Sequence, residues 1–118
     1  MNPSASPDQS PIHLEISCQD VRELLDQGEP FLFIDCREPW ERQIASIGGD
    51  LIPLGSLEEK LDWIREHTLG RLIVYCHHGR RSLLAARFLR QHGVQSAQSM
   101  AGGIERWRQV VDPSIPEY

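Results

Sequence analysis

Short apolar runs alternate along the chain with longer stretches whose apolar positions recur every three to four residues. "IHLEI" (12–16) alternates apolar and polar side chains, as a half-buried strand does. Ser17 then reads as a helix cap, with Asp20 as a weaker version of the capping-box acid. Val21, Leu24 and Leu25 form the buried stripe of that helix, and Gly28 stops it. "FLFID" (31–35) is almost wholly apolar, the mark of a strand buried on both faces. In "REPWERQIAS", Pro39 falls where a first helical turn accepts it, and "IGG" breaks the helix. "DLIPL" (50–54) predicts a strand ended by Pro53.

Ser56 and Glu59 form an S-x-x-E capping box ahead of a helix with Leu57, Leu61 and Ile64 on one stripe. Trp63 lies off that stripe, as a partly exposed packing residue. "RLIVYC" (71–76) is the strongest strand pattern in the chain. A helix from about Arg81 follows, with Leu84, Ala85, Phe88 and Leu89 on one arc and Arg87, Arg90 and Gln91 on the other, solvated arc. Gly93 ends it. "SAQSMA" (96–101) is a weaker strand, and Gly102-Gly103 opens a last helix buried through Ile104, Trp107 and Val111. Strands alternating with helices throughout predict an α/β fold with a mostly parallel sheet. Residues 1–11, rich in Pro and Ser, predict a flexible leader before a single domain over 12–118.

Composition narrows the function classes. A chain of 118 residues, 40% hydrophobic and 25% charged, suits one soluble globular domain with one core. Its net charge of −5 argues against a nucleic-acid partner. No apolar run approaches the roughly 18–20 residues of a membrane span, and the first residues lack the basic and apolar segments of a secretory signal. Cys18, Cys36 and Cys76 are odd in number and widely spaced, which points to a reduced, cytoplasmic protein rather than a disulfide framework.

Against that acidic balance stands "YCHHGRRS" (75–82), which puts a thiol beside a cluster of cations. From Arg71 to Arg90 there are five arginines, two histidines and no acid. Cys76 ends the strongest strand and precedes a helix N-terminus, where ligands of open parallel sheets gather and unpaired N–H groups point outward. A thiol placed there has its pKa lowered. Gly79 lets the loop curl so that its N–H groups converge, and Arg80 and Arg81 add full charges. Each element favours negative charge on, or bonded to, sulfur.

The residues Cys76-His77-His78-Gly79-Arg80-Arg81-Ser82 resemble the C-x-x-G-x-R-[ST] loop of the rhodanese-like sulfurtransferases. "IDCREPWE" (34–41) is similar to that family's D-x-R-x-x-x-E segment, "IGGDLIPL" to its G-A-x-x-I-P stretch, and "MAGGIERW" (100–107) to its G-G-[IM]-x-x-W. One departure is Ser46, where relatives often carry a histidine; the position is not the nucleophile, so the change bears on local packing. The resemblance implies a five-stranded, mainly parallel sheet flanked by helices on both faces. It also implies sulfur transfer: Cys76 takes the outer sulfur of a donor such as thiosulfate as a persulfide and yields it to cyanide, a thiol or an acceptor protein. Converging N–H groups hold the anionic intermediate. Arg81, and with less weight Arg80, bind an anionic donor through guanidinium, with His77, His78, Gly79 and Ser82 completing the binding loop. No cofactor enters this scheme.

Rival readings differ in loop length and ligand spacing. Cysteine phosphatases use the same strand–loop–helix but place arginine six positions after the cysteine. Here Ser82 stands there and the arginine comes one earlier, a loop one residue short for phosphate. An arsenate reductase on this scaffold also needs the longer loop. Cys76, His77 and His78 are consecutive and lack the offsets that aim several ligands at one metal ion. The two histidines read as loop residues that tune charge, partly protonated near neutral pH. A non-catalytic sulfur carrier or sulfide-sensing module stays open as an alternative. Cys36 reads as a small hydrophobe at a strand end or as a resolving thiol near the pocket. Cys18 reads as incidental, and Asp35 as an acceptor of backbone N–H bonds beside the loop. Arg37 has two readings, an anion contact at the mouth of the site or a surface partner of Glu38 or Glu41.

Overall fold

The structure, a computed structural model, describes residues 13–118. The predicted leader over 1–11, and Ile12 after it, lie outside the described residues. The elements follow as β1 (Glu15–Ile16), α1 (Cys18–Asp26), β2 (Leu32–Asp35), α2 (Pro39–Ile44), β3 (Asp50–Leu51), α3 (Leu61–His67), β4 (Leu72–Tyr75), α4 (Arg80–Gln91), β5 (Ala97–Met100) and α5 (Gly103–Val110). The five strands form one sheet in the order β1-β5-β4-β2-β3, with every recorded pairing parallel. β2, β4 and β5 are buried along their whole length. That explains why "FLFID" and "RLIVYC" carry apolar side chains at consecutive positions.

Strand alternation sorts those side chains into two cores. Leu32, Ile34, Leu72 and Val74 pack with Leu61 and Ile64 of α3 and Ala85, Ala86 and Leu89 of α4. Phe33, Ile73, Tyr75 and Met100 pack on the opposite face with Cys18 and Val21 of α1 and Ile104 and Trp107 of α5. Cys36 and Cys76 continue the first series, one step beyond Ile34 and Val74.

Several elements are shorter or shifted from the sequence pattern. β1 has two paired residues, although Leu14 O still accepts the Ser99 N–H at 2.8 Å. Ser17 caps α1 by accepting the Asp20 N–H at 3.0 Å, as expected, but Leu25 turns outward at 40% exposure. The Ser56–Glu59 capping box does not form. Leu54–Ser56 is wound as a 3-10 turn, and α3 begins only at Leu61 after Lys60. Leu57 is buried from that turn rather than from the helix. On α4, Leu84 is exposed and its place on the buried arc is taken by Ser82 and Ala86. Arg90, expected on a solvated face, instead donates from Nε to Ala97 O at 2.8 Å and from Nη2 to His13 O at 3.0 Å. No helix among the described residues is long and apolar enough to cross a membrane.

The segment after β4 is fixed by the start of α5. Ile104 N–H donates to Cys76 O at 2.9 Å and Glu105 N–H to His77 O at 3.0 Å. Two first-turn N–H groups that lack intrahelical partners thus hold the loop by its carbonyls. The approach is backbone to backbone. A Cβ on Gly103 (φ +63°) would lie 2.6 Å from Cys76 O, and one on Gly79 (φ +97°) would lie 2.9 Å from Gly102 N. Glycine is therefore required at both places for space as well as for positive φ. Gly103→Ala is expected to destabilise the fold by about 2–4 kcal/mol, from left-handed strain plus overpacking. Urea unfolding checks this, and a loss below about 0.5 kcal/mol would show that the loop can move away from α5.

Candidate active site

Cys76 emerges from β4 at the carboxyl edge of the sheet, and the chain turns at once through His77, His78 and Gly79 into α4. Gly79 is the N-cap of α4 in left-handed conformation. That turn directs the Gly79 and Ser82 N–H groups at the cysteine, each 3.2 Å from Sγ. The Ser82 hydroxyl lies 3.4 Å from Sγ and 2.7 Å from the Ser99 hydroxyl of β5. With the sulfur ionised, Ser82 donates to Sγ and Ser99 donates to Ser82, so every donor in the chain points toward the charge. Cys36, in the neighbouring position at the end of β2, supplies a further S–H.

These contacts bring the Cys76 pKa down from the ordinary 9 to about 5. The largest contribution is the Cys36 thiol hydrogen bond; burial opposes it, and the Ser82 hydroxyl and the Ser82 and Gly79 N–H groups add to the lowering. Cys36 is driven the opposite way, by its bond to Cys76 first and by burial next, and stays protonated. The sulfur is thus held anionic mainly by neutral donors, not by the adjacent arginines.

The arginines are deployed differently from the sequence expectation. Arg81 lines the pocket but grips Glu41 of α2 with both nitrogens, at 2.7 and 2.9 Å. Glu41 is buried; desolvation pushes its pKa up, yet Arg81, the Glu38 N–H and Tyr118 outweigh that and bring it down to about 2. Arg80 is exposed on the rim, and its side chain makes no hydrogen bond or ion pair among the described residues. Arg37 is neither at the mouth nor on the surface. It is fully buried and donates from Nε and Nη2 to the two Asp35 carboxylate oxygens at 2.9 Å each, from Nη2 to Ala45 O and from Nη1 to the Tyr118 hydroxyl at 2.7 Å each. Strand alternation explains this: residues 33, 35 and 37 face the α1–α5 side, away from Cys36 and Cys76. Asp35 does accept a loop N–H, that of Arg37, at 3.1 Å. A buried ion pair loses about 3–5 kcal/mol when one partner is removed, so Arg37 serves as a structural brace.

An open pocket of about 510 Å³ leads to the sulfur, lined by Cys76, His77, His78, Arg80 and Arg81. His77 is stacked between the Tyr118 ring (3.9 Å, 7° between planes) and the His78 ring (3.9 Å). Burial lowers its pKa from 6.5, with His78 adding to the effect. His78 projects into solvent. Tyr118 went unnoticed in the sequence, yet its hydroxyl accepts from Arg37 and donates to Glu41 Oε2 at 2.8 Å. No local pattern marks it, because its partners lie far away in sequence. Ser99 likewise carries no mark in the sequence beyond its place in a weak strand pattern. Its signal was a hydroxyl within an otherwise fully buried run.

Residues 17–110 match the rhodanese-like domain family. The chain belongs to that family. This rhodanese-like domain is 39% identical over 121 residues to the adenylyltransferase and sulfurtransferase MOCS3-2 of Zea mays, a match covering 98% of the chain and 25% of the relative. The chain therefore spans about a quarter of the length of the MOCS3 relatives it matches. It is 32% identical to the putative sulfur carrier protein YrkF of Bacillus subtilis, over 79% of the chain and 50% of that protein. Among solved structures it is similar to a rhodanese-related protein from Thermoplasma volcanium, with a TM-score of 0.71, 28% identity and coverage of 88% and 96%.

The thiolate carries a direct test on the rhodanese-like domain. Because the Cys76 pKa is lowered to about 5, the reactive form is present above that pH and is lost below it. Alkylation of Cys76 by iodoacetamide, followed by peptide mapping, should rise through pH 5 and stay level toward 9. Removing one hydrogen bond to a charged group costs about 1.5–3 kcal/mol, so Ser82→Ala should move the midpoint to about pH 6–7. A midpoint unchanged in Ser82→Ala would show that the hydroxyl does not hold the anion.

Proposed function

We propose that this domain is a sulfurtransferase that carries sulfane sulfur on Cys76. The observation that bears most weight is the cradle itself: an ionised, buried sulfur met by two N–H groups at 3.2 Å and by two side-chain donors, at the floor of an open pocket. The thiolate attacks the outer sulfur of a donor such as thiosulfate. The S–S bond of the donor breaks, sulfite leaves with that electron pair, and a Cys76 persulfide remains. A thiophilic acceptor, whether cyanide, a small thiol or a protein thiol, then attacks the outer sulfur and returns Cys76 to the thiolate. Both charged forms of sulfur need the same stabilisation, and donors already in place supply it without reorganisation.

Among the described residues lining the pocket, Arg80 is the arginine available to meet an anionic donor, whereas Arg81 acts through Glu41 to position α4 against α2. The relatives support the chemistry by name, one a sulfurtransferase and one a putative sulfur carrier. A non-catalytic carrier shares the persulfide and differs only in turnover. The small-molecule donor and acceptor here, and any protein that gives or takes the sulfur, belong to the proposal, as does a reduced, cytoplasmic setting for the three unpaired thiols.

Incubation with thiosulfate and cyanide should yield thiocyanate at a steady rate. Donor alone should add one sulfur atom to Cys76 by peptide mass, and Cys76→Ser should reduce turnover to the uncatalysed rate. Arg80→Ala should raise KM for thiosulfate by about three- to ten-fold at low salt, an effect that fades as salt increases. A persulfide without turnover would favour the carrier. No sulfur on Cys76 from any donor, with thiocyanate formation unchanged in Cys76→Ser, would overturn the reading altogether.

A further inference from the structure

The mechanism above uses Cys36 only as a hydrogen-bond donor, yet its place in the sheet gives it a second capacity. β2 and β4 are parallel neighbours in the register Leu32↔Leu72, Phe33↔Ile73, Ile34↔Val74 and Asp35↔Tyr75. The next step of the same register sets Cys36 beside Cys76, and the Cys36 N–H bonds Tyr75 O at 3.0 Å, so the pairing continues to that point. Adjacent strands run about 4.7–4.9 Å apart, within the Cα separation of about 4.4–6.8 Å that a disulfide needs. Both side chains point to the same face and lie in the same buried cluster. Cys18 lies in the cluster on the other side of the sheet, where its Sγ faces Ala101 O at 3.5 Å and Gly103 O at 3.7 Å.

Access divides the pair. Cys76 lines the open pocket, while Cys36 is fully buried behind it. A small oxidant therefore meets Cys76 first, and that sulfur is the nucleophilic one. We propose that Cys36 is a resolving thiol: when a hydroperoxide oxidises Cys76, Cys36 closes a Cys36–Cys76 disulfide across β2 and β4.

The chemistry balances in two steps. The Cys76 thiolate attacks one peroxide oxygen, the O–O bond breaks, and hydroxide leaves and takes up a proton as water. Cys76 is then a sulfenic acid. Cys36 sulfur attacks Cys76 Sγ, the S–O bond breaks, and the departing hydroxide takes the Cys36 proton as a second water. Two thiols are oxidised by two electrons in all, and one peroxide becomes two waters. A dithiol reductant reopens the bond by exchange. A sulfur without such a neighbour continues to sulfinic and sulfonic acids, which a dithiol does not reverse. None of these steps involves sulfur transfer, so failure of that activity leaves this test intact.

The experiment treats the native protein with hydrogen peroxide, denatures it, alkylates the remaining thiols and maps the peptides before and after dithiothreitol. Cys36 and Cys76 should lose alkylation together and appear as one bridged peptide. Cys18 should stay alkylated, and dithiothreitol should restore both lost sites. In Cys36→Ala, the part of oxidised Cys76 recovered by dithiothreitol should fall at least five-fold, an order-of-magnitude expectation from loss of the resolving step. The wild-type map stands alone if that variant does not fold. Sulfinic or sulfonic acid on Cys76 with Cys36 still free, a bridge that includes Cys18 or joins two chains, or no oxidation of Cys76 would each overturn the proposal.

Discussion

A negative charge on a sulfur atom shut away from bulk water is the demand around which this end of the molecule is built. Burial alone would keep Cys76 protonated, as it does Cys18, whose pKa rises to about 11 chiefly through desolvation. The two thiols differ by what surrounds them, not by how deeply they lie. Cys18 faces two carbonyl oxygens, which offer nothing to an anion. Cys76 faces the Gly79 and Ser82 N–H groups, the Ser82 O–H and the Cys36 thiol, which stand in for water. Neutral dipoles suit this task because they stabilise the charge without cancelling it, as a fully compensated ion pair at the sulfur would.

The cations nearby have become structural. Glu41 takes both Arg81 nitrogens and the Tyr118 hydroxyl, Tyr118 takes an Arg37 nitrogen, and Arg37 closes on Asp35. A continuous chain of charged and hydroxyl groups thus links α4, α2, Tyr118 and the end of β2. Arg81 joins it to the first turn of α4, whose N–H groups form the cradle. Acid reaches the sulfur first, near pH 5, and this chain only at lower pH. Glu41 has its pKa lowered to about 2, so its stabilisation is complete above its ordinary value of 4.5 and drains away as pH falls toward 2.

Much of this was legible in the sequence, and the gaps have definite causes. The strand–helix order follows from apolar runs, and the loop from its glycine and its cysteine, because those depend on near neighbours in the chain. Arg37 could not be placed from composition, since its role turns on which face of β2 it extends and on a tyrosine 81 residues away. The Ser56–Glu59 box satisfied a local rule but lost to the tighter 3-10 winding of Leu54–Ser56. The charge on Arg81 was visible; its neutralisation by Glu41, 40 residues distant, was not. Cys36 ended a strand on either reading, and only the register of β2 against β4 put it beside Cys76.

The main-chain clamp between α5 and the loop also separates what must be kept from what is free to vary. Two of the four donors to the sulfur are main-chain N–H groups, and the loop is held in place by its own carbonyls. His78 and Arg80, both exposed, take no part in that holding. These two exposed pocket positions can therefore change without disturbing the sulfur cradle beneath them. The architecture behaves as a fixed socket with an exchangeable collar.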